Sequence, residues 1–209
     1  MKIRTLFSMI VLALGVVGCR TSSTAMVDDA SFSASERAAL EADLDQTRDL
    51  FLRSVSGLTE EQLYWKASPD KWSVAQVAEH ITAAESFIRG AIEESMKAPA
   101  SAEMLADARK EKMIRQMITD RSRKFEAPEP IQPTNRFGSV PATIAKFKTE
   151  RAKTEQLVHD GGDLRLYAAD HPAGHLDAVG WFYFLSGHTE RHVKQIEELK
   201  AMPDFPRGS

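Results

Sequence analysis

Cysteine, basic clusters and strand-like patterns are what this chain has least of. One cysteine occurs among 209 residues, so an internal disulfide is excluded. The formal net charge is −3, and no run of lysine and arginine forms a basic patch, so nucleic acid is not an expected partner. Alternation of apolar and polar residues is scarce and no internal repeat is evident, which favours a helical fold.

Apolar runs are also short, and the one at the N-terminus has the form of a signal peptide. Lys2 and Arg4 precede an apolar stretch from Leu6 to Val17, which falls short of the roughly 20 residues that a transmembrane helix needs. Gly18 and Cys19 follow directly. This arrangement resembles the lipobox of bacterial lipoproteins, in which the cysteine becomes the lipidated first residue of the mature protein.

We therefore expect four regions along the chain. Residues 1–18 are the predicted signal peptide, 19–32 a lipidated Cys19 and flexible tether, 33–202 one folded domain, and 203–209 a tail. The lipid would anchor the protein to a membrane in the cell envelope, outside the cytoplasm; an ordinary secretory signal is the alternative. Removing the signal takes the formal charge from −3 to −5 and leaves about 180 residues, enough for one core.

Four long helices account for the folded domain. Capping boxes at Ser33 and Ser73 and a serine–proline start at Ser139 predict three helix beginnings, and the fourth helix is predicted from about Leu176 to Ala201. The link between the second and third helices spans some forty residues and contains a charge-rich stretch, 101–122, predicted as an outer polar helix. The fold class is therefore all-α: a four-helix bundle with one long crossover, running up-down-down-up, in which short links make neighbours.

Three histidines lie on the apolar stripes of two of these helices. His188 and His192 are four residues apart and share one helix face, and His80 lies on the stripe of the second helix. Buried imidazoles need partners, and together the three offer a facial set of nitrogen ligands. Three protein ligands with an open position are typical of catalytic zinc, and imidazole also suits nickel or iron. Histidines satisfied separately by hydrogen bonds are the alternative.

The other three histidines are not expected to bind the ion. Pro172 and Gly174 interrupt the pair His171 and His175, so that pair is expected in a loop or at a helix N-terminus. His159 lies at the end of the third helix, where a cation suits the helix dipole.

No carboxylate base is clearly placed beside the predicted site. Glu79 and Glu85 lie off the stripe of His80 and are expected to be solvated. Gln76, one turn before His80, and Thr47, on the first helix, are the candidates for orienting an imidazole or a bound water. The segment HTERH is not the metalloprotease HExxH motif, so no protease is inferred.

Two stretches, "KWSVAQVAEHI" and "GHTERHVKQIEEL", resemble the DinB/YfiT-like superfamily over about residues 33–201. The resemblance implies a four-helix bundle with one crossover that binds a divalent metal through His80, His188 and His192. Zinc or nickel is the expected ion, with manganese or iron as alternatives. Relatives include thiol-dependent transferases and isomerases, and many members have no known activity.

The predicted location changes which activity is expected. Low-molecular-weight thiols belong to the cytosol, so thiol transfer is disfavoured for an outward-facing lipoprotein. We expect a hydrolase or transferase that acts on a small-molecule substrate with a metal-activated water. The alternative is a non-catalytic metal- or ligand-binding bundle tethered to the membrane, which a metal sealed under side chains would favour. A homodimer is compatible with the sequence.

The lipoprotein prediction can be tested at its one cysteine. Cys19→Ser should abolish lipidation, because serine lacks the thiol that carries the lipid, and should leave the signal uncleaved at this site. Intact-mass analysis of membrane-extracted protein measures both. An unmodified N-terminus at another position in the unmutated protein would refute the prediction.

Overall fold

The computed structural model describes residues 31–207, and the predicted signal peptide and Cys19 lie outside this range. The described chain is mostly helical, as predicted. Its α-helices and strands, in chain order, are α1 (Ala34–Val55), α2 (Glu60–Tyr64), α3 (Val74–Ser95), α4 (Ala102–Leu105), α5 (Glu111–Thr119), α6 (Val140–Asp160), β1 (Ala168–His171), β2 (Gly174–Asp177) and α7 (Ala178–Lys200). Two short 3₁₀ turns, Glu129–Ile131 and Leu164–Leu166, complete the order.

Local capping explains where the long helices begin. Ser33 and Ser73 form the predicted capping boxes of α1 and α3. The hydroxyl of each serine accepts from the backbone N–H three residues on, and the side chain of that later residue, Glu36 or Gln76, accepts from the backbone N–H of the serine. Ser139 caps α6 ahead of Pro141, whose missing N–H is not needed in the first turn. Asp177 caps α7 by accepting from the N–H of Gly180. The predicted beginnings of α1, α3 and α6 are therefore confirmed, and α7 starts two residues later than Leu176.

The four long helices pack in a pattern that the short links did not suggest. α1 packs mainly on α6 and α7, and α3 packs mainly on the same two helices. The expectation that short links make neighbouring helices is therefore wrong for both pairs, α6 with α7 as well as α1 with α3. The link between α1 and α3, residues 56–73, includes the extra helix α2 and is long enough to cross the core.

A buried ion pair lies where the four long helices meet. Arg151 on α6 is fully buried, and its guanidinium donates to both carboxylate oxygens of Glu85 on α3, at 2.9 and 2.8 Å. It also donates to the Leu44 carbonyl and to Thr47 Oγ1 on α1, and to Thr189 Oγ1 on α7. Glu85 is 1% exposed, so its predicted solvation is wrong. Its partner lies 66 residues away, and the pattern of its own helix cannot reveal that partner.

The stretch predicted as an outer polar helix is shorter and lies against the core. Only α4 and α5 form within 101–122, and Ile114 and Ile118 of α5 are buried. α5 packs on α7 at Gly187, where an added Cβ would overlap the Cγ2 of Ile118 and lie 3.2 Å from Arg115 Nη1. Glycine is present at position 187, despite its low helix propensity, because α5 approaches too closely for a larger side chain.

A small hairpin was not predicted. His171 and His175 lie on β1 and β2, which pair antiparallel in a register that joins Asp170 to His175. Gly174, the first residue of β2 directly after the turn, has φ +99°, a conformation that glycine adopts readily. The expectation of a loop or a helix N-terminus is therefore wrong, because strands of four residues are too short to show a period of two.

No helix within residues 31–207 is long and apolar enough to span a membrane.

Removing one partner of the buried ion pair should destabilise the fold strongly. Arg151→Met or Glu85→Gln should each lower the free energy of unfolding by about 3–5 kcal/mol, because the remaining partner keeps a buried charge or loses its acceptors. Chemical denaturation measures the change. Lys97→Met is the control, since the Lys97–Glu94 pair is 70% and 71% exposed and should contribute less than about 1 kcal/mol. Equal losses in both pairs would contradict the central role of Arg151.

Two mid-helix glycines should respond in opposite ways to alanine. Gly187→Ala should lower the free energy of unfolding by about 1–3 kcal/mol, because the new methyl group forces α5 away from α7. Gly90→Ala should raise it by about 0.5–1 kcal/mol, because a Cβ there meets nothing within 4 Å and alanine favours the helix. Stabilisation by both substitutions, measured by thermal unfolding, would show that α5 does not pack closely on Gly187.

Candidate metal centre

Helices α3 and α7 bring three imidazoles together in the core. His80 Nε2 lies 3.1 Å from His188 Nε2 and 3.1 Å from His192 Nε2. One ligand atom from each ring lies within 4.8 Å of the other two. The residues are 2%, 8% and 9% exposed, respectively. The arrangement is the predicted one: one histidine from the second long helix and two from the last.

Hydrogen bonds at the opposite ring nitrogens fix the tautomers of two of these histidines. His80 Nδ1 lies 2.8 Å from the carbonyl oxygen of Ile131, and His192 Nδ1 lies 2.8 Å from Gln195 Oε1. Both oxygens can only accept, so each Nδ1 carries its proton and each Nε2 presents a lone pair. Two lone pairs 3.1 Å apart cannot hydrogen-bond to each other. A cation between them would turn this repulsion into attraction.

The spacing of the nitrogens fits such a cation. Three nitrogens about 2.0–2.1 Å from one ion would be about 3.3 Å apart in tetrahedral geometry and about 2.9 Å apart in octahedral geometry. The two separations from His80 Nε2, both 3.1 Å, fall between these two values, and the third pair lies within 4.8 Å. The nitrogen set therefore suits a single divalent ion and does not by itself select zinc over nickel, manganese or iron.

The surroundings of the rings keep them neutral. Burial lowers the pKa of all three imidazoles. The pKa of His188 falls well below its ordinary value, with further lowering by the two neighbouring histidines. Burial and His80 lower the pKa of His192 to about 3. Histidine binds metals in its neutral form, so the centre is ready to accept an ion at neutral pH.

The two residues predicted to orient the site form hydrogen bonds elsewhere. Thr47 Oγ1 accepts from Arg151 and donates to carbonyls of its own helix. Gln76 Oε1 accepts from the N–H of Ser73 as part of the capping box. The observed partners of the imidazoles are instead Ile131 and Gln195. Gln195 follows His192 by three residues on the same helix, a spacing that the sequence does contain.

Glu79 is buried rather than solvated, which corrects the second expectation for a carboxylate on α3. It is 6% exposed, and its carboxylate accepts from the backbone N–H groups of Thr134, Asn135 and Arg136. Burial alone would raise the pKa of Glu79, but these bonds outweigh it and hold the pKa below its usual value. The sequence pattern missed this role because the partners are backbone groups of a distant loop.

Aromatic side chains flank the centre, whose three histidines are 2%, 8% and 9% exposed. Trp72 lies with its ring centroid 4.9 Å from that of His80, and Phe184 lies 6.4 Å from His188. Two cavities of the described chain, of about 330 and 380 Å³, have none of the three histidines in their walls. The imidazoles are thus covered by side chains.

The remaining histidines take no part in the cluster. His171 packs edge-on against Trp181 and Phe184, and its Nδ1 accepts from the N–H of Ala173. His175 lies beside Asp170 in the hairpin. His159, near the end of α6, is exposed beside Glu41. Only His80, His188 and His192 form a potential metal cluster within residues 31–207.

Comparison with known proteins places the chain in a family. The sequence profile of the DinB superfamily matches residues 43–196, a span that contains all three histidines. The uncharacterised protein YuaE of Bacillus subtilis (strain 168) is 25% identical over 151 residues, which cover 70% of this chain and 88% of YuaE. No solved structure matches the chain significantly. Because the profile spans most of the sequence, the chain belongs to the DinB superfamily.

Proposed function

We propose that this protein binds one divalent metal ion through His80, His188 and His192. The observation that carries the proposal is the convergence of three neutral Nε2 atoms, two of them fixed as lone-pair donors by hydrogen bonds at Nδ1. Membership in the DinB superfamily supports it. Zinc or nickel is the proposed ion, with manganese or iron as alternatives, because imidazole suits all of them.

We further propose that the centre serves a hydrolase or transferase acting on a small molecule. An ion held by three neutral ligands retains its charge, can polarise a substrate and can lower the pKa of a water ligand to about 7. The protein contributes the fixed rings, and the aromatic groups Trp72 and Phe184 limit the access of bulk water to them. Three ligands leave a position free for substrate, which supports a catalytic role.

A non-catalytic role in metal or ligand binding is the second candidate. The coverage of the three histidines by side chains favours it, since a substrate would reach the ion only after neighbouring groups move. An activity measurement on the histidine variants separates the two roles.

The location and assembly of the protein are also proposed from the sequence. The N-terminal signal and Cys19 support a lipoprotein of the cell envelope, anchored to the membrane through its lipid. The proposed partners are therefore a membrane and a small-molecule substrate, and nucleic acid is not a proposed partner. A homodimer is compatible with the sequence.

The up-down-down-up order of the four long helices is our inference from paired contacts. Contacts that advance together along two helices indicate parallel helices, and contacts that advance oppositely indicate antiparallel helices. The supporting pairs are Asp43–Ser186 and Ser54–Lys200 for parallel α1 and α7, Thr82–Thr143 and Arg89–Glu150 for parallel α3 and α6, and Arg37–Val158 and Thr47–Arg151 for antiparallel α1 and α6.

Single alanine variants of the six histidines test the proposed site. His80→Ala, His188→Ala and His192→Ala should each weaken metal binding by orders of magnitude, because two imidazoles and water replace a three-nitrogen site. His159→Ala, His171→Ala and His175→Ala are the matched controls and should retain it. Bound metal is measured by elemental analysis after dialysis. The fold should survive in the ligand variants, since the surrounding core is apolar and does not depend on the ion.

The same six variants address activity. If the centre is catalytic, hydrolysis of a panel of small esters, amides and phosphoesters should fall with bound metal and should return when the ion is restored. Retention of metal by His80→Ala together with its loss from His171→Ala would show that the ligands are misassigned. Full metal binding without turnover on any member of the panel would favour the non-catalytic role.

A further inference from the structure

Two charged residues next to metal-ligand positions hold the same stretch of the crossover. Glu79 precedes His80 on α3, and Arg191 precedes His192 on α7. Both side chains are largely buried, with exposures of 6% and 5%. Each bonds to backbone atoms in residues 118–136, which we call the covering segment. The covering segment begins in the last turn of α5 and makes up most of the connection to α6, which starts at Val140.

Glu79 binds one end of the covering segment through backbone N–H groups. Its Oε1 accepts from Thr134 at 2.8 Å and from Arg136 at 3.0 Å, and its Oε2 accepts from Asn135 at 2.8 Å. Arg136 Nε adds a fourth bond at 3.3 Å. Asn135 adopts φ 62°, so three successive N–H groups turn toward one carboxylate and form an anion-binding nest.

Arg191 binds the other end through carbonyl groups. Its guanidinium donates to the carbonyl of Ile118 at 3.1 Å and to the carbonyls of Asp120 and Arg123. The ring of Phe125 covers it, with the guanidinium carbon 5.0 Å from the ring centroid. A buried anion on α3 and a buried cation on α7 thus secure opposite ends of the covering segment.

Between these two attachments lies the carbonyl that orients His80. Ile131 is buried, and its oxygen lies 2.8 Å from His80 Nδ1. A metal-bound histidine depends on such an acceptor for its tautomer and its ring orientation. The position of this oxygen is in turn set by the segment on which it lies. The two charged residues therefore act on the metal centre through the covering segment.

We infer that Glu79 and Arg191 are positioning residues that hold the covering segment in place so that the Ile131 carbonyl fixes the tautomer and orientation of His80. The inference rests on the proposed metal-binding function, which it deepens by assigning the support of one ligand. It gives α3 two buried carboxylates with different tasks. Glu85 secures the helices to one another through Arg151, and Glu79 secures the crossover to the metal centre.

Glu79→Gln, made in the full-length protein, tests this directly. Glutamine has a single acceptor oxygen, so at least one of the three N–H groups loses its partner and the NH₂ group faces donors. The affinity for Zn²⁺, measured by competition with a chromophoric chelator, should fall about 10–100-fold. The visible absorption bands of the Co²⁺-loaded protein should shift, because the orientation of one ligand changes.

The matched control is Glu85→Gln, six residues further along the same helix. Its carboxylate bonds to Arg151 and Thr154 and makes none of the bonds that hold the covering segment. This variant should lose thermal stability and keep its Zn²⁺ affinity within about threefold, since the two sites share no partners. Arg191→Lys is the second test, because lysine keeps the charge without the planar fork that reaches several carbonyls. It should weaken Zn²⁺ binding as Glu79→Gln does.

The imidazole ¹⁵N shifts of the metal-free protein provide a readout that does not depend on metal binding. His80 should carry its proton on Nδ1 in the unmutated protein and should populate both tautomers in Glu79→Gln. If the unmutated protein binds no Zn²⁺, the proposed function fails, and these shifts still decide whether Glu79 positions His80. If the variants keep both the Zn²⁺ affinity and the His80 tautomer unchanged, the inference is overturned. If Glu79→Gln does not fold, Arg191→Lys decides the outcome.

Discussion

The guanidinium of Arg151 is the group on which the arrangement of the long helices depends. A buried cation must have its donors satisfied, and Arg151 satisfies them with atoms from α1, α3 and α7 at once. Apolar packing alone would tolerate small shifts of one helix along another, whereas these directed bonds do not. Thr189, which accepts from Arg151, follows His188 directly. The ion pair therefore secures the long helices against one another.

Buried charged groups secure the fold at several points, and those near the metal centre have different roles. The pair of Arg151 and Glu85 joins helices to helices. Glu79 and Arg191 join α3 and α7 to the crossover. In each case the charged group is compensated by a specific partner, as burial requires. The metal centre differs, since its rings are neutral and two of them direct Nε2 lone pairs toward each other, an arrangement that a bound cation would stabilise.

The burial of the imidazoles has consequences for chemistry as well as for binding. Low exposure keeps the rings unprotonated and so favours metal binding at neutral pH. The same burial restricts the approach of a substrate, because none of the three histidines is more than 9% exposed. A catalytic role therefore requires movement of the groups around the centre, and a binding role does not.

Sequence alone determined the mostly helical fold, three of the four long-helix beginnings and the three histidines that meet in the core. These features are local, because a capping serine bonds within one turn and an apolar stripe can be recognised from the spacing of residues in a single helix. Tertiary structure decided that Glu79 and Glu85 are buried, that Thr47 accepts a hydrogen bond from Arg151, and that α1 and α3 are not packed side by side. A polar residue on a helix looks the same whether water or a distant residue satisfies it, because its partner lies in another part of the chain and is found only when the chain has folded.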